Sequence, residues 1–272
     1  MAKIVIKLGG QVFSQGDAYL QDIASDLVAL KNAGHQLILV HGGGVLIDAE
    51  LAKAGITPQK RDGLRITDAA TMAVVQPVLD GINENLTGKF NTLCNSFGLT
   101  VKGMPSAAGI LNAKHVLAVD SQGLEFNLGF VGSITAVDVD ALETLLAQGI
   151  VPLIAPLAYS EEDGGATLFN VNADNVASAV AEHINADMLV FMSDVPGVIG
   201  PDSINVKRLV KAHCDHLTAV GSVTGGMLEK LHNAFSAAES GVECVQIIDG
   251  TKPHSLLESI NQPGVAGTLI AC

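Results

Sequence analysis

Tryptophan is absent from the 272 residues, and tyrosine occurs only twice. Positive charge is also scarce: 15 Lys and Arg stand against 28 Asp and Glu, a formal net charge of -13. A chain without a basic field or aromatic platforms lacks what nucleic-acid binding usually needs. An anionic substrate is therefore admitted only at a local cationic site. Cysteine is sparse as well. Cys94, Cys214, Cys244 and Cys272 are far apart and form no CxxC pair, so neither a disulfide framework nor a zinc ribbon is indicated. Isolated thiols fit a reducing compartment. The N-terminus MAKIVIKLGG carries no long apolar h-region and no cleavage site. The longest charge-free apolar stretch, Ile150–Tyr159, contains Pro152 and Pro156 and falls short of the ~20 residues of a membrane span. A soluble cytoplasmic protein is expected.

What is abundant is apolar residue content, 48% against 16% charged, enough for a large buried core and too much for a disordered chain. Strand-like and helix-like segments alternate. Lys3–Leu8 is a short β-branched run ending at Gly9-Gly10, and Asp17–Ala33 has helical apolar spacing through Leu20, Ile23, Leu27 and Leu30. Gln36–Val40 reads as a buried strand followed by His41, Gly42-Gly43-Gly44 and a helix from Val45 to about Ala54. Gln59–Thr67 reads as a hairpin turning at Asp62-Gly63. The long helical region from Asp68 to about Phe97 is expected to kink or break at Pro77 and Gly81. Further strands are expected at Leu99–Lys102, Ala113–Ala118, Phe130–Ala136, Ile150–Ala155, Met188–Met192, Val242–Ile247 and Gly267–Ile270. Helices are expected at Val139–Gln148, Asn172–Ile184 and Thr224–Ser240. This alternation predicts an α/β fold, a three-layer sandwich around a mainly parallel sheet. Two lobes sharing one sheet are expected, residues 1–175 and 176–272.

Chemistry-bearing residues cluster at strand ends. In open parallel sheets ligands bind beyond the carboxyl ends of the strands. Gly9-Gly10 and Gly42-Gly43-Gly44 sit there, where glycine permits close backbone approach and helix-start N–H groups favour anions; alone, each is equally a tight turn. Neither run is a P-loop or a GxGxxG. Lys7 ends an apolar strand, as an inward-pointing or a snorkelling lysine. Lys230 lies in the second turn of a helix opening Thr224-Gly225-Gly226, with Thr224 a natural N-cap. Asn172 and Asp174 suit the N-cap and first turn of the next helix, which leaves Asn170 unexplained. Arg65 is either a hairpin surface charge or a bidentate carboxylate clamp. His213 and His216 would share a helix face, but no further metal ligands accompany them, and a closed metal site needs four.

In order along nearly the whole chain, Lys7-Leu8-Gly9-Gly10, His41-Gly42-Gly43-Gly44, Arg61-Asp62-Gly63-Leu64-Arg65-Ile66-Thr67-Asp68, Gly129-Phe130-Val131-Gly132, Asn170-Val171-Asn172-Ala173-Asp174, Ser193-Asp194-Val195-Pro196-Gly197, Gly225-Gly226-Met227-Leu228-Glu229-Lys230 and Gly267-Thr268 resemble the amino-acid kinase family. The Arg61–Asp68 and Asn170–Asp174 segments resemble its branch acting on N-acetyl-L-glutamate. The resemblance implies ATP-dependent phosphorylation of the γ-carboxylate of N-acetyl-L-glutamate, the second step of arginine biosynthesis. It implies that Lys7 and Lys230 stabilise the transition state, that Asp174 orients them, and that Gly10 and Gly43 donate backbone N–H groups to phosphoryl oxygens. Gly43, Gly44, Arg65, Asn170 and Asn172 would bind the acidic substrate. Asp194, Val195, Pro196, Gly197, Val198, Ile199, Ser222, Val223 and Thr224 would line the site for ATP, which carries Mg²⁺, with no protein metal site. Gly225-Gly226 stands where Asp-Gly or a similar pair is usual. The chain begins almost directly at its first strand, so the resemblance implies an arginine-insensitive homodimer. A sister kinase acting on N-acetyl-aminoadipate or another acidic substrate, and a non-catalytic amino-acid sensor on the same fold, are the rival readings.

Overall fold

β-Branched and leucine side chains fill β1 (Lys3–Leu8) on both faces, and that double burial places it in the middle of a sheet. The computed structural model describes residues 1–10, 16–61, 64–119 and 125–271. β1 pairs in parallel with β2 (Gln36–His41) on one side and with β11 (Met188–Ser193) on the other. Beyond β2 come β8 (Ile150–Ile154) and β5 (Thr100–Met104). Beyond β11 come β13 (Cys244–Asp249), β14 (Gly267–Ala271) and β12 (Arg208–Val210). Only the β13–β14 pair in this eight-stranded sheet is antiparallel. Strands from residues 1–175 and from residues 176–272 lie in this one sheet.

Alternation along the strands assigns the faces. Ile4, Ile6 and Leu8 join one core with Leu20, Ile23, Leu27 and Leu30 of α1 (Gly16–Asn32), with α2 (Gly44–Lys53) and with α3 (Ala69–Cys94). Val5 joins the other core with α4 (Val139–Ala147), α5 (Ala173–His183), α6 (Lys211–Ala219) and α7 (Gly225–Glu239). Lys7, two residues after Val5, belongs to the α5 and α7 side. A four-stranded ring covers part of that side, built from β6 (Leu111–Val119), β7 (Glu125–Val137), β9 (Leu157–Ser160) and β10 (Leu168–Asn170). The hairpin β3 (Lys60–Arg61) and β4 (Leu64–Arg65) stands apart from both sheets, its expected Asp62-Gly63 turn lying outside the described residues, as does Cys272.

The expected break is not observed. α3 is one helix from Ala69 to Cys94, and only then passes into a short 3₁₀ turn. Pro77 and its lost partner carbonyl, on Ala73, both lie on the solvent-exposed face, where water replaces the missing bond. Val75, Leu79 and Ile82 meanwhile stay buried on the opposite face. Strands β9, β10 and β12 have three or four residues each, too few for a period to show. The short helix α8 (Ser255–Asn261) was likewise not expected.

Candidate active site

β1 is flanked by β2 and β11, which continue the chain on opposite sides, so a crevice opens at the carboxyl ends of these three strands. Lys7 rises there from β1. Asp174 comes from the first turn of α5, whose N-cap is Asn172: the Asn172 Oδ1 accepts the N–H of Asp174 at 2.7 Å and of Asn175 at 3.4 Å. Lys230 comes from the second turn of α7. The Asp174 carboxylate takes Lys7 Nζ at 3.0 Å on one oxygen and Lys230 Nζ at 2.7 Å on the other. Lys230 Nζ also lies 5.3 Å from the ring centre of Phe191 on β11.

Burial alone would raise the Asp174 carboxyl, but the Lys7 and Lys230 ammonium groups outweigh it and hold its pKa at about 2. Burial and then the neighbouring Lys7 charge lower the pKa of Lys230, with Asp174 opposing. Two ammonium groups surround this one carboxylate in a protein whose formal charge is -13.

Two cavities open on this cluster and share Lys7 and Asp174 as a common wall. The smaller, of about 240 Å³, is lined by Gly42, Gly43, Gly44, Arg65, Asn170 and Asn172, with apolar Ile47, Leu79, Val131, Pro156 and Val171. The larger, of about 530 Å³, is lined by Gly9, Gly10, Ser193, Asp194, Val195, Gly226, Met227 and Lys230. Gly43 has a steric reason to be glycine, since a Cβ there would meet Leu79 Cδ2 at 2.6 Å and Ile82 Cδ1 at 3.0 Å. A Cβ on Gly44 would meet nothing within 4 Å.

Arg65 is no surface charge. It is 9% exposed, with Nη1 2.5 Å from Asp48 Oδ1 on α2 and Nη2 donating to the Gly44 carbonyl at 3.5 Å. The Thr67 hydroxyl donates to the Arg65 carbonyl at 3.1 Å, and the Asn170 amide donates to that hydroxyl at 3.3 Å. Thr67 in turn exchanges backbone hydrogen bonds with Leu128 and Phe130 of β7. These bonds carry the β3–β4 hairpin to the mouth of the small cavity. Asp48 had no signal of its own in the sequence, and Thr67 stood only within the Arg61–Asp68 segment.

Asp194 and Val195 reach the larger cavity, whereas Pro196, Gly197, Val198 and Ile199 turn away from it. Their loop is held from behind: the Asn205 amide donates to the Pro196 carbonyl, the Val198 N–H donates to Thr268 Oγ1, and Ile199 bridges Asn205. Gly197 has φ +117, and a Cβ would meet Thr268 Oγ1 at 2.6 Å. Ser222, Val223 and Thr224 are also outside the cavity lining. Thr224 occupies the N-cap of α7, but its side chain makes no capping hydrogen bond, which leaves the first N–H groups of that helix without this acceptor. His41, at the end of β2, is fully buried, and burial pushes its pKa down to about 4, so the ring is neutral. Its Nδ1 donates to the Gly42 carbonyl at 2.9 Å and steadies the glycine run. His213 and His216 are both exposed on α6. Among the described residues no group of three or more His, Cys, Asp and Glu is placed to hold a metal ion.

A family model described as the amino acid kinase family matches residues 2–249. The chain belongs to the amino acid kinase family. Its similar relatives include the acetylglutamate kinase of Azorhizobium caulinodans, 39% identical over 279 residues, covering 99% of this chain and 89% of that protein. The acetylglutamate kinase of Polynucleobacter necessarius subsp. necessarius is 37% identical over 271 residues, covering 98% and 88%. Among solved structures, the N-acetylglutamate synthase of Neisseria gonorrhoeae complexed with coenzyme A and N-acetyl-glutamate superposes with a TM-score of 0.83 at 24% identity. That match covers all of this chain and 59% of the synthase. The carbamate kinase of Giardia lamblia bound to AMP-PNP gives 0.69 at 14% identity, covering 99% and 98%. The last two similarities establish the shared amino acid kinase fold.

Proposed function

We propose that this kinase transfers the γ-phosphoryl group of ATP to the γ-carboxylate of N-acetyl-L-glutamate, forming N-acetyl-L-glutamyl 5-phosphate in the second step of arginine biosynthesis. The observation that carries the reading is the pair of cavities sharing Lys7 and Asp174, with Lys230 in the larger one. Acceptor and donor bound in adjoining cavities meet at the one cationic cluster between them. The relatives named acetylglutamate kinase support this choice of acceptor.

A side-chain carboxylate is already ionised at neutral pH and needs no general base to attack phosphorus. Catalysis then reduces to alignment and to neutralising charge on the transferring group. Lys7 faces both cavities and would bridge the attacking and transferring oxygens. Lys230, at the donor side, would neutralise the phosphoryl and leaving oxygens. Asp174 holds both ammonium groups in place and stays ionised throughout. Gly10 and Gly43 would offer backbone N–H groups to the phosphoryl oxygens. The larger cavity suits a nucleotide polyphosphate: it combines Lys7 and Lys230 with the uncapped start of α7. Mg²⁺ would arrive on the phosphates of ATP and supply further charge neutralisation there.

In the small cavity Arg65 and Asn170 would receive the α-carboxylate, while Gly43, Asn172 and the apolar wall would receive the acetamide. An acetamide is neutral, whereas free glutamate would bring an ammonium that the apolar wall desolvates. Residues 1–175 would hold the acidic substrate and 176–272 the nucleotide; that boundary falls inside α5, the helix carrying Asp174. We read the protein further as a cytoplasmic homodimer. Among the described residues no helix is long and apolar enough to cross a membrane.

Incubating the purified protein with Mg-ATP, N-acetyl-L-glutamate and hydroxylamine should give the coloured hydroxamate that traps an acyl phosphate. Equal or higher kcat/KM with L-glutamate, L-aspartate or N-acetyl-aminoadipate would overturn the substrate assignment. Light scattering should give twice the mass of one chain, and a monomer or hexamer would overturn the dimer.

A further inference from the structure

Glu229 precedes Lys230 on α7 and lines neither cavity. Its carboxylate accepts the Asn172 side-chain amide at 2.7 Å. Asn172 is the N-cap of α5, two residues before Asp174. One hydrogen bond therefore ties the start of the helix carrying the carboxylate to the start of the helix carrying the lysine.

The same two helices are joined by further polar contacts behind this one. The Asn175 amide donates to Asn233 Oδ1 at 3.4 Å, the Ser178 hydroxyl to the Asn233 carbonyl at 3.0 Å, and the Ser236 hydroxyl to Glu182 Oε1 at 3.3 Å. Apolar packing of α5 on α7 is non-directional and leaves the two helices free to slip along each other. Directional hydrogen bonds along the seam oppose that slip. The Asn172–Glu229 bond is the shortest of these and the nearest to the reacting atoms.

Glu229 sits at an electrostatic cost. Burial and then the charge of Asp174 push its pKa up to about 6. A carboxylate placed half-buried beside a buried carboxylate needs a compensating role, and the Asn172 amide is its visible partner.

We propose that Glu229 is a positioning residue for phosphoryl transfer: by accepting the Asn172 amide it sets the register of α7 on α5 and so holds Lys230 at its place on Asp174. This rests on the kinase reading given above. The long lysine side chain is flexible, and its ammonium is useful only where the phosphoryl charge develops. A displacement of ~1 Å at a reacting centre can cost ~10²-fold in rate.

Three variants separate this role from a general structural one. E229Q keeps the acceptor oxygen and should retain kcat within about twofold, while E229A should lose kcat by about tenfold with KM for ATP nearly unchanged, since only positioning is impaired. N172S keeps an oxygen able to cap α5 but lacks the amide donor, so its kcat should fall as in E229A, while KM for the acidic substrate rises as well because Asn172 also lines the small cavity. The double variant E229A/N172S should be no slower than E229A, because both changes break one contact. In parallel, NMR of the Asn172 side-chain amide should show its proton shifted in E229A and little moved in E229Q. All variants should melt cooperatively. Wild-type kcat in E229A overturns the proposal, as does E229Q as slow as E229A. Losses of kcat that multiply in the double variant, or a kcat loss in E229A that follows a rise in its KM, also overturn it. A wild-type protein that forms no hydroxamate overturns the kinase reading and this proposal with it, even with the amide shift as expected; an active wild type with a fully active E229A overturns the proposal alone.

Discussion

The two cavities that meet at Lys7 are assembled in opposite ways. The larger one is built from the ends of elements. Its walls are the carboxyl ends of β1 and β11 and the starts of α2, α5 and α7. The smaller one is convergent. It draws on the β2–α2 loop, β4, α3, β7, Pro156, β10 and α5, separate segments between Gly42 and Asp174. Phosphate oxygens ask for N–H groups and positive charge, which strand ends and helix starts supply on their own. Choosing one small acid among many asks for shape, and shape comes from distant elements held together. A fold shared with a carbamate kinase at 14% identity shows how far the scaffold is common.

The common wall should give the largest effect. Lys7→Ala and Lys230→Ala are each expected to lower kcat by about 10²–10³, the loss typical of one charge-stabilising donor. KM for the acidic substrate should change much less. Steady-state kinetics with both substrates varied would show it. Near-normal kcat in both variants would mean that the wall between the cavities is not where transfer occurs.

Changes confined to the convergent cavity should separate the two substrates. Arg65→Lys is expected to raise KM for the acidic substrate by about tenfold or more and leave that for ATP nearly unchanged, because lysine keeps the charge and loses the planar fork. Here the fork has a second use, since one arm meets Asp48 and the other the Gly44 carbonyl. A defect in ATP binding instead would place Arg65 in the wrong cavity. Gly43→Ala should cost about 1–3 kcal/mol by overpacking against Leu79 and Ile82, read as a lower urea midpoint with a raised KM for the acid. Gly44→Ala, with open space at its Cβ, should leave stability unchanged. Equal stability of the two variants would mean that the Gly43 contact relaxes freely.

The same contrast explains what was legible in the sequence. Lys7, Asp174, Lys230 and the glycine runs announce themselves, because a charged or permissive residue at a strand end or helix start breaks an otherwise apolar pattern. The parallel sheet was readable from alternation for the same reason. Arg65 was readable as a candidate, but its burial was not, because nothing near it in sequence predicts Asp48 of α2 as a partner. The ring of β6, β7, β9 and β10 was only half visible: two of its strands are three and four residues long and are stabilised by their neighbours rather than by their own pattern. Pro77 misled because the sequence does not show which side of a helix faces water. Glu229 looked like an ordinary helix carboxylate, and only the meeting of α5 with α7 gives it a partner.

A tie remote from both cavities should give the smallest effect, and it checks whether the two halves are coupled only at the chemistry. His254, before α8 in the second half, has Nδ1 2.7 Å from Asp26 Oδ1 of α1 in the first. The Leu257 N–H donates to the other Asp26 oxygen at 3.1 Å. The hydrogen bond to Asp26, and then its charge, raise the His254 pKa above its ordinary 6.5. A histidine with a raised folded-state pKa binds its proton more tightly when folded. Its contribution to stability is fully present below pH 6.5 and is lost as pH rises through the folded value. Burial raises the pKa of Asp26 despite His254. The ring is 55% exposed, so solvent screens most of the interaction. The contribution of this tie to the melting temperature should therefore fall by no more than about 2 °C between pH 6 and pH 8. His254→Asn removes the titration and tolerates the left-handed backbone at φ 56. Scanning calorimetry of both proteins across that range should show a shallower slope for the variant, with kcat unchanged. Identical slopes would remove the His254–Asp26 pair from the stability of the fold, and a changed kcat would mean that packing between α1 and α8 reaches the Lys7 cluster after all.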